Sequence, residues 1–234
     1  MIESYRSQGI TFDSLGGRLG IDRPVSTVLG MGLWGNHVLP RLVDRALRTP
    51  EVNARRALVC AGLRGRVLEI GFGSGLNVRY YPEAVTEVLA IEPSNLAWRL
   101  AQPRIARSAY AVQRAGLDGQ RLELDDESVD AVLSTYTLCS IPDIDTALAE
   151  VRRVLKPDGA LHFLEHGLAP QPSVQQWQRR MQPIQWRLAG GCHLNRPIDV
   201  LIKKSGLKID NLDLRYGSGP RWFSYLYRGR AVRP

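Results

Sequence analysis

Cysteine is scarce in this chain: 234 residues hold Cys60, Cys139 and Cys192, an odd number placed far apart. That excludes a disulfide framework and suits a reducing compartment, the cytoplasm. Long apolar runs are missing as well. The longest uncharged stretch, residues 24–40, is broken by glycines, an asparagine and a histidine, and is a poor membrane span. No signal peptide is expected, because residues 1–12 carry Glu3 and have no apolar segment. Lysine is rare, since 27 of the 31 basic residues are arginine. Blocks of basic residues, and alternation of basic with aromatic residues, are absent. An RNA-binding module is therefore excluded, and no nucleic-acid partner is expected.

Charge is unevenly spread. Residues 1–150 carry 16 basic and 18 acidic side chains, whereas residues 151–234 carry 15 basic and 5 acidic ones. Such a basic segment is either a solvated arginine-rich face or a surface for anions. The first reading is preferred, with weak contact to an anionic membrane surface as the second. The composition, 44% hydrophobic and 23% charged, is that of a globular domain with a substantial core.

From residue 66 onward apolar runs and helical periodicities alternate, the pattern of βαβ units and a mainly parallel sheet. Strands are predicted near 66–70, 87–91, 109–113, 129–134, 160–165, 207–213 and 222–228. Helices are predicted near 75–81, 94–101, 144–155, 174–188 and 197–205. Before this core, residues 1–65 are Gly-rich and then helical, over 38–47 and 53–60, and are read as an N-terminal helical cap segment. Residues 66–234 make the core, in one structural domain overall. Lys156-Pro157-Asp158-Gly159 has turn chemistry, and Pro183 should kink or divide its helix.

The most informative stretch is Val67-Leu-Glu-Ile-Gly-Phe-Gly-Ser-Gly75. A short apolar strand runs into glycines at alternate positions, Gly71, Gly73 and Gly75, where backbone must approach a ligand closely. The dinucleotide fingerprint fails, because its sixth position is Leu76. The next strand ends in Glu92-Pro93-Ser94, where a carboxylate can accept from two ribose hydroxyls and Ser94 can cap a helix. The third is followed by Asp118-Gly119, where a carboxylate can accept from an adenine amino group. These positions fall at consecutive strand ends, where open α/β sheets bind ligands.

Glu69-x-Gly71-x-Gly73-x-Gly75 resembles the first motif of the class I S-adenosylmethionine (SAM)-dependent methyltransferases, and residues 66–166 are similar to their whole core. The resemblance narrows through Thr137-Leu-Cys-Ser-Ile-Pro-Asp143, Phe163-Leu-Glu-His-Gly167, Trp177-Gln178 and Gly190-Gly-Cys-His-Leu-Asn-Arg196. These look like a bacterial branch related to the mammalian alkyl thiol methyltransferases of the methyltransferase-like group. Arg121-Leu-Glu-Leu124 departs from that pattern, as does the expected lack of a membrane-anchor helix. The resemblance implies a three-layer α/β sandwich around a mostly parallel seven-stranded sheet, Rossmann-like. It also implies SAM as cofactor, with S-adenosylhomocysteine as product.

The expected cofactor-binding set is Glu69, Gly71, Gly73, Gly75, Asn77, Glu92, Pro93, Asp118, Gly119 and Thr135. The candidate catalytic residues are His166, His193 and Cys139. His166 is either a satisfied structural histidine or a base near the acceptor, and Cys139 is either core or pocket wall. With Cys192 they make a two-Cys, two-His set whose spacing matches no zinc pattern, so no metal is expected. The implied reaction is methyl transfer to a small molecule, a thiol or sulfide first. O- or N-methylation of a small aromatic, quinone or lipid head group is the alternative, and a non-catalytic SAM-binding module is the rival of another class. The sequence is silent on the oligomeric state.

Overall fold

The computed structural model describes residues 34–234; the predicted features before residue 34 lie outside the described residues. Seven strands are present: β1 Gly65–Ile70, β2 Val85–Ile91, β3 Ala111–Gly116, β4 Val129–Thr135, β5 Leu155–His166, β6 Lys208–Tyr216 and β7 Tyr225–Val232. They form one sheet in the order β3-β2-β1-β4-β5-β7-β6. The first five run parallel, and β7 is antiparallel to both β5 and β6. The expected mostly parallel seven-stranded sheet is therefore present.

A two-residue period divides the strand side chains between two layers. Leu68, Ile70, Leu89, Val132, Leu161 and Phe163 pack on one face. There they meet helices α4 Ile144–Val154, α5 Pro172–Leu188 and α6 Ile198–Lys204. Val67, Val88, Ala131, Leu133 and Leu164 pack on the other, with Val59 and Cys60 of α2 Pro50–Cys60 and Ala101 of α3 Asn95–Ile105. Helix α1, Leu39–Ala46, follows a π-helical turn at Trp34–Val38.

The differences from expectation have local causes. A 75–81 helix does not form; only a 3₁₀ turn at Val78–Tyr80 is present. Gly75 sits at φ 74°, and Tyr81, extended at ψ 131°, precedes Pro82, which disfavours helical backbone before it. The Lys156–Gly159 turn appears inside β5 as a bulge. Val129 pairs with Leu155 and Ala131 with Ala160, so the residues between are looped out, with Asp158 at φ 61°. Helix α5 runs on through Pro183 without dividing. The last strand begins at Tyr225, three residues later than expected.

Candidate active site at the carboxyl edge of the sheet

The parallel strands β1, β2, β4 and β5 all end on one edge, and the predicted residues gather there. Gly71, Gly73 and Gly75 have φ of 74°, 59° and 74°. The three do different work. A Cβ on Gly71 would lie 2.0 Å from Thr137 Oγ1, so this glycine lets the β1 and β4 loops touch. A Cβ on Gly73 would meet nothing nearer than Gly71 O at 3.9 Å. The space above Gly73 is open, and its backbone is the part of the loop a ligand can approach.

Glu92 fixes that loop. Its Oε2 accepts from Gly73 N at 2.7 Å and its Oε1 from Ser94 N at 2.7 Å. Burial raises the Glu92 pKa, and the N–H groups of Ser94 and Gly73, with the Arg114 charge, oppose that rise. Each oxygen retains a lone pair for a hydroxyl donor, the geometry a ribose diol needs. Ser94 caps α3 through Oγ, accepting from Ala97 N at 3.2 Å. Pro93 beside it is exposed. Asp118 Oδ1 accepts from Gln120 N at 2.9 Å and Nε2 at 3.0 Å, while Gln120 Oε1 accepts from Asp143 N at 2.8 Å. Gly119 is buried, and a Cβ there would come within 2.8 Å of Ile70. These residues fit SAM: an open glycine cradle, a buried carboxylate at the second strand end and a second carboxylate at the third.

Glu69, Asn77 and Thr135 lie beneath the loop in one buried network. Asn77 Nδ2 donates to Glu69 Oε1 at 2.6 Å and to Thr135 Oγ1 at 3.0 Å, and Tyr81 Oη donates to Glu69 Oε2. Arg56 Nη1 reaches in from α2 to Asn77 Oδ1 at 2.7 Å and Thr135 Oγ1 at 2.9 Å. Burial raises the Glu69 pKa to about 8, against the hydrogen bond from Asn77 and the charge of Arg56. All three are buried among protein donors and acceptors, supporting the loop from below. Asp44 of α1 does similar work from above, accepting from Ser74 Oγ at 2.6 Å and pairing with Arg104 Nη2 at 2.9 Å.

Arg56, Asp44 and Tyr81 are absent from the expected set. Arg56 had a signal: it shares a helical face with Val59 and Cys60, and an arginine on an apolar face requires buried partners. Asp44 had none toward the loop, because Ser74 and Arg104 lie about 30 and 60 residues downstream, while its local partner is Arg48.

Next to this cradle the β4 and β5 loops make a second cluster. Glu165, fully buried, accepts from Ser134 Oγ at 2.7 Å, Thr137 N at 3.1 Å and Cys139 N at 3.4 Å. It thereby fixes the turn through Tyr136, which sits at φ 56°, a conformation that a bulky side chain adopts only under constraint. Cys139 and Cys192 place their sulfurs 3.5 Å apart. The His166 ring lies between Tyr136, 4.9 Å away, and Phe223, 4.7 Å away. Leu194, Trp222 and Phe223 complete an apolar wall. His193 stands apart from His166: its N donates to Cys139 O at 2.7 Å and its Nδ1 lies 3.2 Å from the same oxygen. Burial and the charge of Arg196 lower its pKa. The structure thus brings Cys139, His166 and Cys192 together, with His193 as a brace on the Cys139 backbone.

Residues 68–163 match the Methyltransferase domain family. This part of the chain is a methyltransferase domain. The glycine cradle and the carboxylates at the second and third strand ends fit SAM as its cofactor. The chain is 34% identical over 134 residues to the thiol S-methyltransferase TMT1B of Rattus norvegicus, covering 56% of this chain and 54% of that protein. It is 32% identical over 168 residues to a demethylmenaquinone methyltransferase of Roseiflexus castenholzii, covering 66% and 65%. The chain therefore spans between about half and two thirds of these relatives' lengths. Among solved structures, a SAM-dependent methyltransferase of Thermotoga maritima superposes with a TM-score of 0.61 at 19% identity, over 85% of this chain and 99% of that one. That likeness establishes the fold. Among the described residues no helix is long and apolar enough to cross a membrane.

Proposed function

We propose that this protein transfers the methyl group of SAM to the sulfur of a small, mostly apolar thiol. The observation that carries the reading is the make-up of the wall beside the cradle. Cys139, Cys192, Leu194, Trp222 and Phe223 offer soft and apolar surface, and the loop that carries Cys139 is the one that touches Gly71. Identity to a thiol S-methyltransferase over 134 residues supports it. SAM supplies an electrophilic methyl on a sulfonium. The protein's part is to align that carbon with the acceptor, an effect worth up to about 7–11 kcal/mol. Glu92 and the open backbone at Gly73 face the nucleoside side, the Arg56–Asn77–Glu69 network keeps the glycine loop in place, and Glu165 fixes the β4 loop that faces it. A free thiol has a pKa near ~8.5, so a modest bias yields the thiolate.

A second reading rests on the longer match to a demethylmenaquinone methyltransferase, which points to a quinone-type ring as acceptor. One screen separates the two. Purified protein with SAM is offered thiols, phenols, amines and a demethylated quinone, and methylated products are read by mass spectrometry. The thiol reading requires S-methyl products, with a rate that rises from about pH 6 to 9 as thiolate forms. Methylation of the quinone alone would move the assignment to the second reading. No S-adenosylhomocysteine with any acceptor would remove both.

A further inference from the structure

The geometry points to a zinc site formed by Cys139, His166 and Cys192, with a fourth position that takes the sulfur of the acceptor. It rests on the thiol reading above for the identity of that fourth ligand, but not for the metal. One ligand atom from each of the three residues lies within 4.8 Å of the others. The two sulfurs are 3.5 Å apart. In a tetrahedral centre with Zn–S of about 2.3 Å, two thiolates stand roughly 3.8 Å apart. The sulfurs are therefore already near zinc spacing, and the imidazole has at most about 1.3 Å to close.

Three features separate this cluster from cysteines that merely fill a core. The ligands come from three separate segments, the loop after β4, the end of β5 and the loop after α5, and each is anchored by its own contacts. Cys139 N donates to Glu165, and Arg196 Nη1 donates to Leu138 O at 2.5 Å. The Cys192 carbonyl accepts from Gln182 Nε2 at 3.0 Å. The ring of His166 is held between Tyr136 and Phe223, which fixes the direction of its nitrogens. Two thiolates and one neutral imidazole neutralise a divalent zinc ion, so the centre carries no net charge into an apolar surrounding.

Three protein ligands with one open position is the arrangement of a catalytic zinc, whereas structural zinc is closed by four. The sequence spacing argued against a metal because that argument looks for paired ligands a few residues apart. Here the intervals are 27 and 26 residues, and the fold closes them.

The chemistry balances simply. The acceptor S–H bond breaks as its sulfur binds zinc, and the proton leaves to solvent. The bound sulfur then uses a lone pair to form the new C–S bond, while the bond between the methyl and the sulfonium breaks toward S-adenosylhomocysteine. The thioether product is neutral and a weak zinc ligand, so it dissociates.

The test begins with metal content. The untagged full chain, purified without chelators, is expected to hold one zinc per chain by atomic emission. Cys139→Ser, Cys192→Ser and His166→Ala should each lower zinc affinity more than tenfold against a chelating dye, whereas Cys60→Ala should not. SAM binding by calorimetry should survive in all four, which shows that they fold. A wild-type chain that neither holds nor takes up zinc overturns the proposal. So does a mass two daltons low with Cys139 and Cys192 unreactive, which would make them a disulfide pair.

Cobalt(II) in place of zinc reads the open position. A small thiol such as ethanethiol should shift the visible bands, and ethanol should not; an unchanged spectrum overturns the acceptor half. Thiol methylation at an unaltered rate after zinc removal would overturn the metal proposal and leave the thiol reading standing. Zinc binding and a cobalt shift without thiol methylation would do the reverse.

Discussion

At the scale of single residues, the glycine loop separates folding from binding. Gly71 and Gly73 share a left-handed backbone, which costs an L-residue roughly 1–2 kcal/mol. Their surroundings differ. Gly71→Ala drives a methyl into Thr137, so it should lower the melting temperature by several degrees, at about 2–4 °C per kcal/mol for a chain this long. Gly73→Ala meets no clash and bears only the backbone cost, so it should melt a few degrees below the wild type, less far than Gly71→Ala, but lose SAM affinity at least tenfold by calorimetry. Normal SAM binding by Gly73→Ala would place the ligand elsewhere. Glu92→Ala and Asp118→Ala should also weaken SAM by tenfold or more, because a charged hydrogen-bond partner contributes about 1.5–3 kcal/mol. Glu69 gives a pH signature instead. Its folded pKa, about 8, lies above the unfolded value of 4.5, so the fold holds this proton more tightly than the unfolded chain. The resulting stability is complete below pH 4.5 and is lost as pH rises through 8. Glu69→Gln removes the titration, so the melting temperature of the variant should fall less between these limits. Parallel curves for the two proteins would mean that Glu69 is ionised throughout.

At the scale of elements, the link from β3 to β4 is held by two side chains of α4, Arg153 and Glu150, the latter accepting from Leu122 N at 2.9 Å. Arg153 donates to Leu122 O at 3.0 Å and Leu124 O at 2.7 Å, and it pairs with Glu150 and Asp126 at 2.7 Å each. The arginine is about a third exposed, so its ion pairs contribute little and the carbonyl bonds matter more. Arg153→Ala should cost about 1–2 kcal/mol and speed amide exchange across residues 121–126. Loss of stability without that local change would point to α4 itself. Leu122 of this link reaches the core. The strands were readable because β1, β2, β4 and β5 are apolar on both faces, and such runs have few other destinations. The helix expected at 75–81 was misread because the restraint lies outside it, in Pro82. The gathering of the glycine loop, Glu92 and Asp118 at one edge was legible since each lies within a few residues of a strand end. The set of Cys139, His166, Cys192 and His193 was also named from the sequence, but which three of them meet was not legible, because their proximity is created by three separate segments rather than by any local spacing.

At the scale of the whole molecule, ion pairs close part of the charge imbalance between the two halves of the sequence. Eight of the fifteen basic residues after position 150 are in ion pairs: Arg153, Lys156, Lys203, Lys204, Arg215, Arg228, Arg230 and Arg233. Several partners come from the acidic first half, including Asp126, Glu127, Asp130, Asp145 and Glu150. The basic segment is thus mostly a set of ties between β6, β7, α4 and the strands beside them. It offers no continuous track for a phosphate backbone, whose binding needs several unneutralised cations in a row. Helix α5 is the exception, with Arg179, Arg180 and Arg187 among exposed Trp177, Ile184, Trp186 and Leu188. Two measurements follow from this distribution. A labelled oligonucleotide should show no binding at about 0.15 M salt, where surface charges are screened beyond roughly 8 Å. Vesicles rich in phosphatidylserine should retain the protein weakly at low salt and release it near physiological salt. Replacing Arg179, Arg180 and Arg187 with glutamate should abolish that retention without changing SAM affinity. Tight oligonucleotide binding, or vesicle binding indifferent to salt and to the triple substitution, would show that the ion pairs leave a continuous cationic surface on the basic half.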